Sequence, residues 1–298
     1  MNRRDFMHVS AAASLAITAG AALAEPVQKP KLKKAVKYGM IGIKAPIEDK
    51  FNLIKKLGFL GVEIDSPNNL DMAELAKAQE STGIKVHGVI DSVHWNHTLS
   101  HPNKAIRAKG LSALCTGLID ANFIGADTCL LVPGVVNKDV TYEQCYERSQ
   151  AEVRKAIPLA EKLGVKIAIE VVWNNFITKP EQLIQYVDDF KSPFVGAYMD
   201  CSNMIKYGVP SAEWIRKLGK RMLKFDFKGY SKAKAKAAGN DGAGFQAGIG
   251  EGDENWPEIL KACAEVGYDT WATAEVAAGG EDWLRDVSQR MDKILELG

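Results

Sequence analysis

The chain has 298 residues, 46% of them hydrophobic and 25% charged, and its 38 Lys+Arg against 37 Asp+Glu leave a formal net charge of +1. That balance offers no electrostatic footprint for nucleic acid and no polybasic surface for anionic lipid, so a small molecule is the expected partner. Five cysteines (Cys115, Cys129, Cys145, Cys201 and Cys263) form no C-x-x-C pair, which excludes a disulfide-stapled fold and a zinc ribbon.

Residues 1–24 read as an address. Arg3 and Arg4 precede Phe6, an uncharged alanine-rich run extends from Val9 to Ala24, and Ala22-Leu23-Ala24 supplies an A-x-A cleavage site before Glu25-Pro26. The arginine pair resembles the bacterial twin-arginine export signal, so the mature protein is expected to begin at Glu25, to be periplasmic and to be free of the membrane. The run is too short and too poor in Leu and Ile for a membrane span. Residues 25–35 read as an extended, solvated lead-in.

From residue 36 onward, short β-rich runs alternate with amphipathic ones. Strand 36–43 is followed by helix 47–57, strand 60–65 by helix 70–82, strand 84–91 by helix 102–124, and strand 127–133 by helix 139–163. Strand 165–172 then leads to helix 180–190, strand 194–200 to helix 211–220, strand 221–228 to helix 255–266, and strand 268–276 to helix 281–296. Gly58, Gly83, Gly125, Gly164 and Gly267 stand where helix C-caps need positive φ. Eight strands and eight helices predict an α/β fold, a single-domain (β/α)8 TIM barrel over residues 36–298. Lys232-Ala-Lys-Ala-Lys236 reads as a solvated basic loop.

Barrel chemistry sits at the C-terminal ends of the strands. There the sequence places Glu170, Asp200, Asp226 and Glu275, one acid on each of the last four strands. A lone strand-end acid usually caps a helix or pairs with a lysine. Four flanked by apolar residues are costly to bury, and a divalent cation is the common partner that satisfies several at once.

These residues resemble the sugar phosphate isomerase/epimerase barrels, the xylose isomerase-like family that includes D-tagatose 3-epimerase, L-ribulose-5-phosphate 3-epimerase and hydroxypyruvate isomerase. Glu170 in Ile-Glu-Val-Val-Trp-Asn-Asn-Phe is similar to that family's first metal-binding Glu, Asp200 in Met-Asp-Cys-Ser-Asn to its metal-binding Asp, and Glu275 in Ala-Glu-Val to its closing Glu. The turn around Glu251 (Gly250-Glu251-Gly252-Asp253) and the run from His94 to Pro102 are similar too. The chain departs from the pattern in three places. Asp226 stands where the family usually has a metal-binding His, Asn203 replaces a substrate-touching His, and Phe176 replaces a second acid.

The resemblance implies Glu170 and Glu275 as a catalytic acid/base pair that moves a proton next to a carbonyl through a metal-stabilised enediolate. Asp200 and Asp226 would complete the metal set. An aspartate in place of an imidazole adds negative charge and favours hard ions, Mn2+ or Mg2+ first, with Ca2+, Co2+ or Zn2+ as alternatives. The expected substrate-binding residues are His94, Trp95, His97, Asn203, Lys228 and Glu251. His87 and Glu63 read either as core residues or as ligands, and Cys201 as packing. An exported enzyme seldom meets sugar phosphates, so the substrate is expected to be an unphosphorylated sugar or keto-sugar. A keto-glycoside lyase or hydrolase acting by β-elimination and a non-catalytic metal- or sugar-binding barrel are the alternatives, and self-association is compatible with all three.

Overall fold

A computed structural model describes residues 29–297, so the export signal expected in residues 1–24 lies outside the described part. Eight strands, β1 (Lys33–Lys37), β2 (Gly61–Ser66), β3 (Lys85–Asp91), β4 (Thr128–Leu131), β5 (Lys166–Glu170), β6 (Val195–Asp200), β7 (Met222–Phe227) and β8 (Trp271–Ala274), form one closed barrel. Every neighbouring pair is parallel, and β1 pairs with both β2 and β8, so no strand edge is left unpaired. Around the barrel run α1 (Ile47–Lys56), α2 (Met72–Thr82), α3 (Lys104–Ile124), α4 (Tyr142–Leu163), α5 (Pro180–Asp188), α6 (Ser211–Leu218), α7 (Lys232–Ala238), α8 (Trp256–Val266) and α9 (Glu281–Leu295). The expected (β/α)8 barrel is the observed fold.

Local chemistry accounts for the helix ends. Asp71 and Asn103 accept hydrogen bonds from the first free amides of α2 and α3, and Thr141 forms a capping box with Gln144 at α4. The five glycines expected at helix ends all have φ between 69° and 87°, a conformation that strains any residue with a Cβ.

The main apolar core lies between strands and helices. In α9, for example, Leu284, Val287, Met291 and Ile294 recur at helical spacing and face the barrel. Phe176, at the position where an acid was sought, is fully buried against Tyr142, Tyr146 and Tyr186 with ring centroids 5.3–6.3 Å apart. Inside the barrel the apolar cluster is small: Leu130, Ala168 and Tyr198, with Ile90 and Leu223 packed on it. Much of the remaining interior is polar and buried, namely Lys37, Glu63, His87, Lys224 and Asp226.

Two expectations are corrected. The first strand begins at Lys33, inside the stretch read as a lead-in, and residues 38–40 form a 3-10 turn instead of continuing the strand. Its lysines are tethered: the Lys34 ammonium sits 5.6 Å from the Phe59 ring centre, 2.8 Å from the Ser288 hydroxyl and 2.6 Å from Asp292. The basic segment after β7 is helical, because Ser231 caps α7, Gly239 ends it in the left-handed conformation and Ala235 is buried beneath it.

Candidate functional site

Glu170 and Asp200 are the last residues of β5 and β6, Asp226 pairs in register with Asp200 from β7, and Glu275 follows β8. Strand alternation turns all four inward at the same end of the barrel. One carboxylate oxygen from each lies within 4.8 Å of the others.

Two lysines meet these acids. Lys228 reaches Glu275 at 2.5 Å and Asp200 at 3.1 Å, while Lys37 reaches Asp226 at 2.8 Å and Glu63 at 3.0 Å. Asp200 Oδ1 also accepts the backbone amides of Ser202 and Asn203 at 2.7 and 2.8 Å. Among the described residues no side chain or backbone group hydrogen-bonds or ion-pairs with the Glu170 carboxylate. Burial, then the charges of Glu275 and Asp226, push its carboxyl well above the usual range. Burial alone would raise Glu275 as well, but Lys228 and Lys37 outweigh it and hold that carboxyl low. Burial also pushes Asp226 well up and Asp200 up, ahead of the opposing charges of Lys37 and Lys228, so within this coupled set Glu275 is the one carboxyl held low.

The donors fit a divalent cation. Four carboxylate oxygens converge from four rigid strand ends. Fully ionised, those four acids and the Glu63 that shares Lys37, set against Lys37 and Lys228, leave a formal charge of −3, most of which a divalent ion offsets. An all-oxygen set suits Mn2+, Mg2+ or Ca2+ better than softer ions.

The cluster floors a cavity of about 550 Å3 whose wall includes Lys37, Asp65, Asp91, His94, Trp95, Glu170, Trp173, Asn203, Lys228, Phe245 and Glu275. A cavity of about 560 Å3 between α6 and α8 lies apart from the four acids. Asp91 Oδ1 accepts the Val93 amide at 3.0 Å, which fixes the turn carrying His94 and Trp95. Burial pushes the Asp91 carboxyl up to about 6. His94 Nδ1 accepts the Val132 amide at 3.4 Å, leaving the proton on Nε2, and burial followed by the charge of Lys37 lowers the ring to about 4. Trp95 is half exposed and meets His94 edge to face at 5.6 Å.

A model of the family described as "Xylose isomerase-like TIM barrel" matches residues 51–294. The chain belongs to this family. L-ribulose-5-phosphate 3-epimerase of Escherichia coli is 23% identical over 171 residues, which cover 52% of this chain and 59% of that protein. The match thus spans about three fifths of the curated relative. D-psicose 3-epimerase of Clostridium cellulolyticum superposes with a TM-score of 0.74 at 19% identity, covering 89% of this chain and 99% of that one. The Escherichia coli 3-keto-D-glucoside 4-epimerase gives 0.73 at 15%, over 89% of this chain and 99% of its own. The IolI protein, solved with a zinc atom, also gives 0.73 at 15%, over 89% and 98%.

Within this xylose isomerase-like barrel, the expected residues divide. Glu170, Asp200, Asp226 and Glu275 come together, and His94, Trp95, Asn203 and Lys228 line the cavity above them. His97 and Glu251 are not on its wall. Glu251 is exposed and pairs with Arg290 of α9 at 2.6 Å. The acid that turns inward from that segment is Glu254, whose Oε1 accepts the Ser202 hydroxyl and the Tyr230 amide, both at 2.7 Å. Gly252 makes room for it, since a Cβ there would overlap Glu254 Oε2 and lie 2.5 Å from the Tyr230 carbonyl oxygen. Asn203 also braces the site, donating its side-chain amide to Val171 O at 3.3 Å. His87 is a core residue, stacked on Trp271 at 4.2 Å and kept neutral by burial and by Lys224.

Lys37 and Tyr198 escaped the sequence reading, although Tyr198 stands two residues before Asp200 and so shares its strand face. The Tyr198 hydroxyl lies 2.8 Å from both Glu63 Oε2 and Asp226 Oδ1. It has one proton to donate, so both contacts are satisfied only if one of the two acids brings a proton of its own. The negative charge expected from Asp226 is therefore met locally by Lys37 and Tyr198.

Proposed function

We propose that the protein is an exported, divalent-metal-dependent isomerase or epimerase of an unphosphorylated keto-sugar. The observation that carries the substrate class is the charge of the cavity wall. Its two ammonium groups, Lys37 and Lys228, are both occupied by carboxylates, and apart from His94 the other ionisable groups of the wall, Asp65, Asp91, Glu170 and Glu275, are all acids. Such a wall repels a phosphate and suits a neutral polyol, with Trp95, Trp173 and Phe245 offering flat apolar faces and His94 Nε2 a hydrogen-bond donor.

Glu170, Asp200, Asp226 and Glu275 would hold the ion, most favourably Mn2+ or Mg2+, and when bound it supplies Lewis-acid polarisation of the substrate carbonyl. Glu170 and Glu275 are the two outer members of the set in strand order, with Asp200 and Asp226 between them. One, as carboxylate, removes the proton from the carbon beside the carbonyl, and the electron pair moves onto the carbonyl oxygen. The other, as acid, returns a proton to that carbon from the other side and inverts it. Lys228, between Asp200 and Glu275, is placed to donate to a substrate oxygen.

The test is deuterium uptake. Stripped protein reloaded with Mn2+, Mg2+ or Co2+ is incubated in heavy water with D-fructose, D-tagatose and D-psicose, and the carbon-bound protons are followed by NMR. Metal-dependent loss of a proton signal next to the carbonyl is expected. If no sugar exchanges with any ion, the proposal is wrong.

A further inference from the structure

Asp226 and Glu63 are both fully buried in the barrel interior, where ionised carboxyls need counter-charge and hydrogen bonds to persist. Lys37 supplies the charge from β1. Its ammonium ion-pairs with Asp226 Oδ2 at 2.8 Å and with Glu63 Oε2 at 3.0 Å, and donates to the Tyr198 hydroxyl at 3.4 Å. Tyr198, from β6, holds the other oxygen of Asp226 at 2.8 Å. The carboxylate on β7 is thus fixed at both oxygens by two different strands. Lys228 contrasts with this: just past the end of β7, it ion-pairs with Asp200 and Glu275, lies 5.0 Å from the Phe245 ring centre and faces the cavity.

We propose that Lys37 is a positioning residue which, with Tyr198 and Glu63, fixes Asp226 as a ligand and offsets part of the negative charge that Asp226 brings to the cluster. The inference rests on the four acids being a divalent-cation site. Lys37 thus offsets part of the charge of Asp226, which eases the packing of a fourth carboxylate with three others within 4.8 Å. The frame stands outside the cluster as hydrogen-bonding partners stand behind ligands in other metal centres, where their loss costs roughly 10–100-fold in affinity.

Two measurements on the full chain test it. The first is Mn2+ affinity by calorimetry in the parent, Asp226→Asn, Lys37→Met and the double variant. If Lys37 acts through Asp226, the Asn change costs roughly tenfold or more in the parent and almost nothing once Lys37 is gone. Equal costs in both backgrounds overturn the proposal. The second is melting of the metal-free proteins. Removing Lys37 leaves two buried acids without a cation, so the double variant should melt above Lys37→Met alone, and a double variant that melts lower also overturns it. Should Lys37→Met not fold, Tyr198→Phe replaces it in the calorimetric cycle, keeping every charge and deleting one anchor. A parent that binds no Mn2+ overturns both the metal-site reading and the ligand role, whereas tight parental binding with additive costs sinks the Lys37 assignment alone.

Discussion

Glu254 offers a test of the energetics that hold the site together. It joins Ser202, in the loop after β6, to Tyr230, in the segment after β7, through one oxygen, while its other oxygen is buried without a partner. Burial pushes its carboxyl from 4.5 up to about 7. An acid whose pKa rises on folding holds its proton more tightly in the folded state. Its contribution is therefore full below about pH 4.5 and is lost as pH climbs toward 7. A rise of that size corresponds to about 3 kcal/mol. Glu254→Gln keeps the accepting oxygen for both bonds and removes the charge, so at pH 8 it should be more stable than the parent by up to about 3 kcal/mol, with little difference near pH 5. Urea unfolding at the two pH values reads this directly, as a shifted midpoint with an unchanged slope. A Gln variant no more stable than the parent at pH 8 would refute the reasoning.

Further outcomes are expected. Glu170→Gln and Glu275→Gln should each slow deuterium uptake roughly 10²–10⁴-fold, and residual exchange within tenfold of the parent would remove that residue from the acid/base pair. Trp95→Ala should raise KM about tenfold with kcat nearly unchanged while Trp95→Phe largely restores it, because stacking on a flat ring is uniform binding; a fall in kcat instead would place Trp95 nearer the reacting carbon. Replacing Arg3 and Arg4 together by lysine should leave uncleaved precursor in the cytoplasm, whereas exported protein should begin at Glu25. Normal export of that variant would remove the twin-arginine reading and, with it, one reason for discounting sugar phosphates.

What the sequence disclosed followed from strict periodicities. Glycine at five helix ends and acids at the ends of four successive strands are one-residue signals whose meaning depends only on the strand-helix alternation around them, so they survived folding unchanged. Lys37 was hidden because it follows a lysine-rich lead-in at the very start of the expected first strand, where nothing local marks which face it takes, and only closure of β1 onto β8 and β2 turns it inward onto Asp226 and Glu63. Glu251 and Glu254 are three residues apart in one turn. Which of them faces inward depends on the path of the loop, a long-range property with no local marker except Gly252. The basic stretch 232–236 was misjudged for the opposite reason. Its composition suggested solvent, yet Ser231 and Gly239 at its two ends were helix signals in plain view.

The interior of this barrel is an unusual place to invest stability. Behind the four acids a file of charged and polar groups continues downward: Glu63 lies 3.6 Å from His87, His87 3.3 Å from Lys224, and Lys224 2.7 Å from Asp127 at the opposite, solvent-facing end. Well-packed apolar side chains of similar volume commonly match or exceed such a network in stability. A repacked, oily interior should therefore give a hardier protein that has lost its poise. Lys224 and His87, which belong neither to the four acids nor to the cavity wall, are the members such repacking could replace first.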